Sequence, residues 1–141
     1  MQNEYKLERF IEAQNGTYEK ALAEIRTGRK RSHWMWYIFP QVSGLGLSEA
    51  SRYYAIKDLG EARAYLQHPV LGPGLVEICK ALLKLANSNA GDIFGSPDDM
   101  KLRSSMTLFA EVENADKVFN RVIDKFFKGL KDDKTLRLLN L

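Results

Sequence analysis

Trp34-Met35-Trp36-Tyr37-Ile38-Phe39 is the stretch on which the fold class turns. It is aromatic, contains a β-branched residue and stops at Pro40, which is the composition of a strand. A strand needs a partner, and no second segment of the chain has that character. The stretch therefore reads as a buried helical turn or extended segment, and the fold as all-α.

The flanking sequence supports that reading. From Asn114 to Lys128, Ala115, Val118, Phe119, Val122, Ile123, Phe126 and Phe127 recur at i, i+3, i+4, i+7, the stripe of an amphipathic helix, with Asn114 as cap and Gly129 as stop. Leu75, Ile78, Cys79 and Leu82, with Leu85 or Ala86, predict a second helix over 75–86, with Cys79 as a small core residue. Ser96-Pro97-Asp98-Asp99 opens a third, reaching Phe109, with a cap, a first-turn proline and acids that suit the helix dipole. Thr17 caps a fourth that Gly28 ends, and Leu7, Phe10, Ile11 and Gln14 suggest one at the N-terminus. Weaker patterns cover 48–56, 58–66 and 134–139. The expectation is a compact domain over 1–141 of about seven to eight helices.

A chain of 141 residues that is 45% apolar and 28% charged can bury roughly two thirds of its unfolded surface, enough for one core. Its longest apolar run, Trp34 to Phe39, falls far short of the ~20 residues of a membrane span. Met1-Gln2-Asn3-Glu4 has neither the basic start nor the apolar run of a secretory signal, so the reading is cytoplasmic. One cysteine excludes an internal disulfide and any multi-cysteine zinc site, and His33 and His68 leave little for other metals. No metal or cofactor is expected. His68, before Pro69, is expected to cap a helix or close a turn.

The net charge of +3 is concentrated. Arg26, Arg29, Lys30 and Arg31 lie within six residues, and setting them aside leaves 17 of the 21 basic residues against 18 acidic ones. They adjoin both tryptophans in Gly28-Arg29-Lys30-Arg31-Ser32-His33-Trp34-Met35-Trp36, which runs on to Gln41 and Gly44-Leu45-Gly46. Guanidinium and ammonium groups meet phosphate or carboxylate, and indoles stack on planar rings or on cations. The competing reading makes the aromatics core and the basic residues a solvated helix end. His33 carries the imidazole that most often serves as a general base.

A second segment pairs with the first. On a helix, Asp98, Lys101 and Ser105 share one face and could bring an acid, a cation and a hydroxyl together. Ser104 and Ser105 stand where alanine would be the stronger helix former, so both hydroxyls need partners; the local alternative for Ser105 is a bond to the preceding turn. Several machines are absent. Gly44-x-Gly46 has Glu49 in the third glycine position of a dinucleotide fingerprint, and there is no Walker loop, His-Glu-x-x-His or Gly-x-Ser-x-Gly.

These segments, with Tyr54-Ala55-Ile56, Ala64-Tyr65-Leu66, His68-Pro69-Val70-Leu71-Gly72 and Arg103-Ser104-Ser105-Met106-Thr107-Leu108-Phe109, resemble the bacterial domain of unknown function 1810 family over nearly the whole chain. The resemblance implies a compact multihelical fold and brings no activity. A "calpastatin" label attached to some members does not fit, because a calpain inhibitor is a disordered polar chain. It also implies a shared site built from polar residues that packing does not require.

The leading expectation is a pocket for a small anionic, nucleotide- or sugar-phosphate-like metabolite. Arg29, Lys30, Arg31 and Lys101 would meet charge, Trp34 or Trp36 would stack, and Ser32, Gln41, Ser104 and Ser105 would orient. Asp98 or His33 would move protons if there is chemistry. Alternatives are an N-glycosidase of the NADAR type acting on ribosyl or ADP-ribosyl compounds, an analogy of fold class alone, and a protein-interaction module with a basic docking segment. Four clustered positives on a chain otherwise at −1 argue against nucleic acid, and no oligomeric state follows.

Overall fold

The computed structural model describes residues 5–141. Among them are ten helices and no strand, so the all-α class holds while the helix number exceeds the expected seven to eight. In chain order they are α1 (Glu8–Gln14), α2 (Tyr18–Arg26), α3 (Met35–Ile38), α4 (Glu49–Tyr53), α5 (Leu59–Gln67), α6 (Leu71–Lys84), α7 (Ala90–Phe94), α8 (Asp98–Ala110), α9 (Val118–Phe127) and α10 (Asp133–Leu138). No helix of the described residues is long and apolar enough to cross a membrane.

The two extra elements are short. The strand-like stretch forms α3, a single turn whose Met35 and Ile38 are buried. Helix α7 is five residues between the Asn89 cap, which accepts from Asp92 N, and Gly95 at φ 75°; so short a helix shows no periodicity. Helix α9 begins at Val118 rather than at Asn114, because Asn114 adopts a left-handed turn and Asp116 Oδ1 accepts from Val118 N at 2.8 Å. Gly129 ends it as expected, following Lys128 into positive φ and donating its N–H to Ile123 O. Helix α6 starts a turn early because His68 Nδ1 accepts from Val70 N and Leu71 N at 3.1 and 3.3 Å. The weaker patterns resolve into α4, α5 and α10, each capped by the side chain before it: Ser48, Asp58 and Asp132.

Helix α8 lies at the centre. Seven of its residues, Leu102 and Ser104 through Phe109, are buried, and it packs on α5, α7, α9 and α10. A helix enclosed on most sides loses the one-sided stripe of a surface helix and must satisfy its own hydroxyls. Thr107 Oγ1 donates to Arg103 O at 2.8 Å. Ser104 Oγ lies 3.2 Å from both Met100 O and Asp132 Oδ2, whereas Ser105 Oγ, fully buried, has no partner among the described residues. The back-bond foreseen for Ser105 is thus made by its neighbour.

Around α8, the stripe of α9 (Val118, Phe119, Val122, Ile123) and that of α6 (Leu75, Ile78, Cys79, Leu82) meet in one continuous core. Helix α6 approaches α5 so closely that a methyl group added at Gly72 would lie 2.0 Å from the Leu66 carbonyl oxygen. On the opposite side, Arg9 ties α1 to the chain beyond α4, donating to Tyr53 O and Ala55 O at 2.8 Å and pairing with the buried Glu61 at 2.9 Å. An isolated parallel bridge joins Val42 to Ile56. It ties the Gln41 to Gly46 loop to the segment between α4 and α5.

Candidate functional site

The basic segment folds around a carboxylate. Gly28, at φ 88°, turns the chain out of α2, and the residues that follow wrap back over Glu24 on the buried face of that helix. Glu24 Oε1 accepts from Arg31 N, Ser32 N and Trp34 Nε1 at 2.8, 3.1 and 2.9 Å, and Oε2 accepts from Ser32 Oγ at 2.6 Å. Burial alone would raise its pKa, but these bonds, led by those of Ser32 and Arg31, outweigh it and bring the group down to about 2. Ser32 and Trp34 therefore serve the fold. The Trp34 ring has no exposed surface, packs against Phe39 and Phe94, and offers no face to a ligand.

Lys30 runs inward. Its ammonium donates to Ser32 O at 2.5 Å, pairs with Asp98 Oδ2 at 2.9 Å and lies 5.0 Å from the Trp34 ring centre. Lys101 pairs with the other oxygen, Asp98 Oδ1, at 3.3 Å and lies 4.2 Å above the Trp36 ring. Asp98 thus bridges two lysines, each resting on a tryptophan. The Asp98 to Lys101 ion pair expected on α8 is present, and Lys30 is a second partner that helical spacing does not reveal.

Beside this bridge is a cleft of about 240 Å³ between α3, the Gln41 to Gly46 loop, α8 and the start of α10. It gathers Trp36, Gln41, Lys101 and Ser104, four of the residues singled out in the sequence, and adds Asp132 and Lys134. Leu45, Val42 and Met100 supply apolar wall. Gly46 admits no side chain, since a Cβ there would lie 2.6 Å from Ser51 Cβ and Oγ. Trp36 is partly exposed, but Lys101 occupies one of its faces, which makes the indole a platform for the ammonium. Asp132 is held from several sides: its N–H donates to Thr107 Oγ1 at 2.9 Å, and its Oδ2 accepts from Thr135 N at 3.0 Å and from Thr135 Oγ1.

Other predicted residues lie elsewhere. Ser105 is sealed in the core, while His33, Arg29 and Arg31 are exposed, and among the described residues no hydrogen bond or ion pair engages the side chains of those three. No hydrogen bond links any two of Ser105, His33 and Asp98. Of the four residues considered for chemistry, His33, Asp98, Lys101 and Ser105, only Lys101 lines the cleft. Glu24, Asp132 and Lys134 escaped sequence reasoning. Asp132-Asp133-Lys134-Thr135 does carry the cap signal that would have placed Asp132, whereas nothing in the sequence marks Glu24. Larger clefts exist on other faces. One of about 720 Å³ between α1, α2 and α6 has Glu12, Glu19 and Glu77 as its charged groups, which repel an anion.

Comparison with known proteins adds the following. A family described as "Protein of unknown function (DUF1810)" matches residues 4–139. The crystal structure of the conserved hypothetical protein Rv1873 from Mycobacterium tuberculosis is similar to this chain at 44% identity and a TM-score of 0.94, covering 97% of this chain and 98% of that one. No curated protein matches the chain.

Proposed function

Since the chain belongs to the family described as "Protein of unknown function (DUF1810)", a description that carries no activity, we propose from the geometry of its cleft that it binds a small phosphate-bearing anion. The observation that carries this reading is the placement of Lys101. Its ammonium is fixed by Asp98 and the Trp36 face, yet it lines the same cleft as Lys134, Gln41 and Ser104. A lysine has three N–H donors, so the Asp98 pair leaves donors for a ligand. With Lys101 and Lys134 against Asp132, the cleft is net positive. Gln41 and Ser104 orient the ligand.

At about 240 Å³ the cleft is smaller than the roughly 300–1,000 Å³ of pockets for drug-sized molecules. A monosaccharide phosphate suits that space better than a dinucleotide. The reading is binding rather than turnover, because Lys101 alone of the residues considered for chemistry reaches the cleft. The N-glycosidase alternative has no comparable support: Asp98, the acid it would use, has both oxygens engaged by Lys30 and Lys101.

Thermal-shift and calorimetric titration with inorganic phosphate and phosphosugars test the proposal. The wild-type melting temperature is expected to rise with at least one phosphate-bearing compound. Lys101→Ala should weaken its binding about 10- to 100-fold, the loss of a charge-assisted hydrogen bond of roughly 1.5–3 kcal/mol. No shift with any of them overturns the reading. A second reading, docking of an acidic partner, is favoured by the exposed, unengaged side chains of Arg29 and Arg31. It predicts binding to polyglutamate that weakens steeply with salt and is lost when both arginines become glutamate.

A further inference from the structure

An acid in an anion-binding cleft calls for a reason. We infer that Asp132 is the acceptor for a ligand hydroxyl, which makes the ligand of the cleft a hydroxylated phosphate ester of the sugar-phosphate class rather than a simple anion. The inference rests on the anion-binding reading above and extends it to a residue outside the sequence-predicted set.

The two oxygens of Asp132 differ in their surroundings. Oδ2 is filled, taking Thr135 N, Thr135 Oγ1 and the approach of Ser104 Oγ. Oδ1 accepts no hydrogen bond from any described residue, and no lysine or arginine pairs with this carboxylate. Capping α10 needs only one oxygen, and serine or asparagine would cap as well. The cap therefore does not account for a second, charged acceptor on a residue that lines a cleft otherwise favourable to anions.

An ionised carboxylate is an acceptor only, so what it adds to the cleft is recognition of a donor. The phosphoryl group of a monoester dianion has none, whereas a sugar presents hydroxyl protons. The carboxylate is also preorganised. Thr107, on the central helix, accepts from its backbone N–H, and the bonds to Thr135 fix the side-chain rotation. Little ordering cost remains when a hydroxyl arrives. Charge repulsion between Asp132 and the phosphoryl group places that group toward Lys101 and Lys134 and the hydroxyls toward Asp132, which gives the ligand one orientation.

The test is isothermal calorimetry with three probes, inorganic phosphate, ethyl phosphate and ribose 5-phosphate, on the wild type and on Asp132→Ser, which retains a capping hydroxyl. In the wild type, ribose 5-phosphate is expected to bind at least 10-fold more tightly than ethyl phosphate. In Asp132→Ser that ratio should fall to near one, while ethyl phosphate binds as well or better because a negative charge has gone. Equal binding of the two esters by the wild type, or a ratio unchanged in Asp132→Ser, overturns the role of Asp132 and leaves anion binding standing. Failure of all three probes to bind the wild type removes both. A second variant, Asp132→Asn, keeps the cap with an isosteric side chain and should lower the ratio with the melting temperature held near that of the wild type.

Discussion

Glu24→Ala is expected to lower stability by about 3 kcal/mol, the loss of charge-assisted hydrogen bonds together with one buried donor left unsatisfied. Of the four donors now converging on its carboxylate, Trp34 Nε1 would be left unpartnered in the interior, while Arg31 N, Ser32 N and Ser32 Oγ, only partly buried, would lose a charged acceptor. Glu24→Gln keeps an acceptor and isolates the charge. The folded protein holds this carboxyl at about 2 against an ordinary value of 4.5. A depressed carboxyl stabilises the fold above its unfolded pKa and loses that contribution as pH falls through the folded value. Here the window runs from about pH 4.5 to about 2, and the contribution at neutral pH is about 3 kcal/mol. Denaturant unfolding of the wild type and Glu24→Gln between pH 7 and 2 checks this. The stability difference between them should shrink as pH drops, and curves that stay parallel would rule out the charge as its source.

The second large effect is at Gly72. Alanine is the better helix former by about 1 kcal/mol, so a glycine at the second position of α6 looks replaceable. Its absent side chain is where the Leu66 carbonyl of α5 sits: a Cβ would lie 2.0 Å from that oxygen and 2.8 Å from its carbon. Both are backbone atoms that cannot swing aside, so α5 and α6 must separate. Gly72→Ala should cost about 3 kcal/mol in spite of its propensity gain. Gly74→Ala, two residues on, meets only the Tyr18 ring at 3.3 Å and should stay within about 1 kcal/mol of the wild type. Comparable unfolding midpoints for the two variants would show that the close approach of these helices does not limit stability.

The sequence made the long elements legible because they have an inside and an outside. Val118, Phe119, Val122 and Ile123 line up on α9 whatever surrounds it, and Pro97-Asp98-Asp99 marks the start of α8 by its proline and first-turn acids, although the helix begins at Asp98 and the expected Ser96 cap is not made. Periodicity is silent where a helix has only one turn, as in α3 and α7, or is enclosed on most sides, as in α8. That enclosure explains why the site was read in part. Lys101, Ser104 and Ser105 all belong to a helix enclosed on most sides, so spacing showed which residues are neighbours and not which neighbour meets the cleft. Ser104, one position away from Ser105, carries the contact to α10. Glu24 illustrates the opposite difficulty. A glutamate between Leu22 and Ile25 reads as a solvated residue, and only the returning loop, which supplies its donors, makes it an interior one.

Two tryptophans separated by a single residue have been given opposite environments by the one turn of α3. This is an optical consequence of the fold. Trp34, without exposed surface and bonded to a carboxylate, is shielded from aqueous quenchers until the chain unfolds. Trp36, partly exposed at the cleft wall beneath an ammonium, is open to them in the native state. The emission of the native protein therefore divides into one component that reports integrity and one that reports occupancy. Phenylalanine at either position separates the two, so a ligand that protects only the quenchable component can be told from one that tightens the whole molecule.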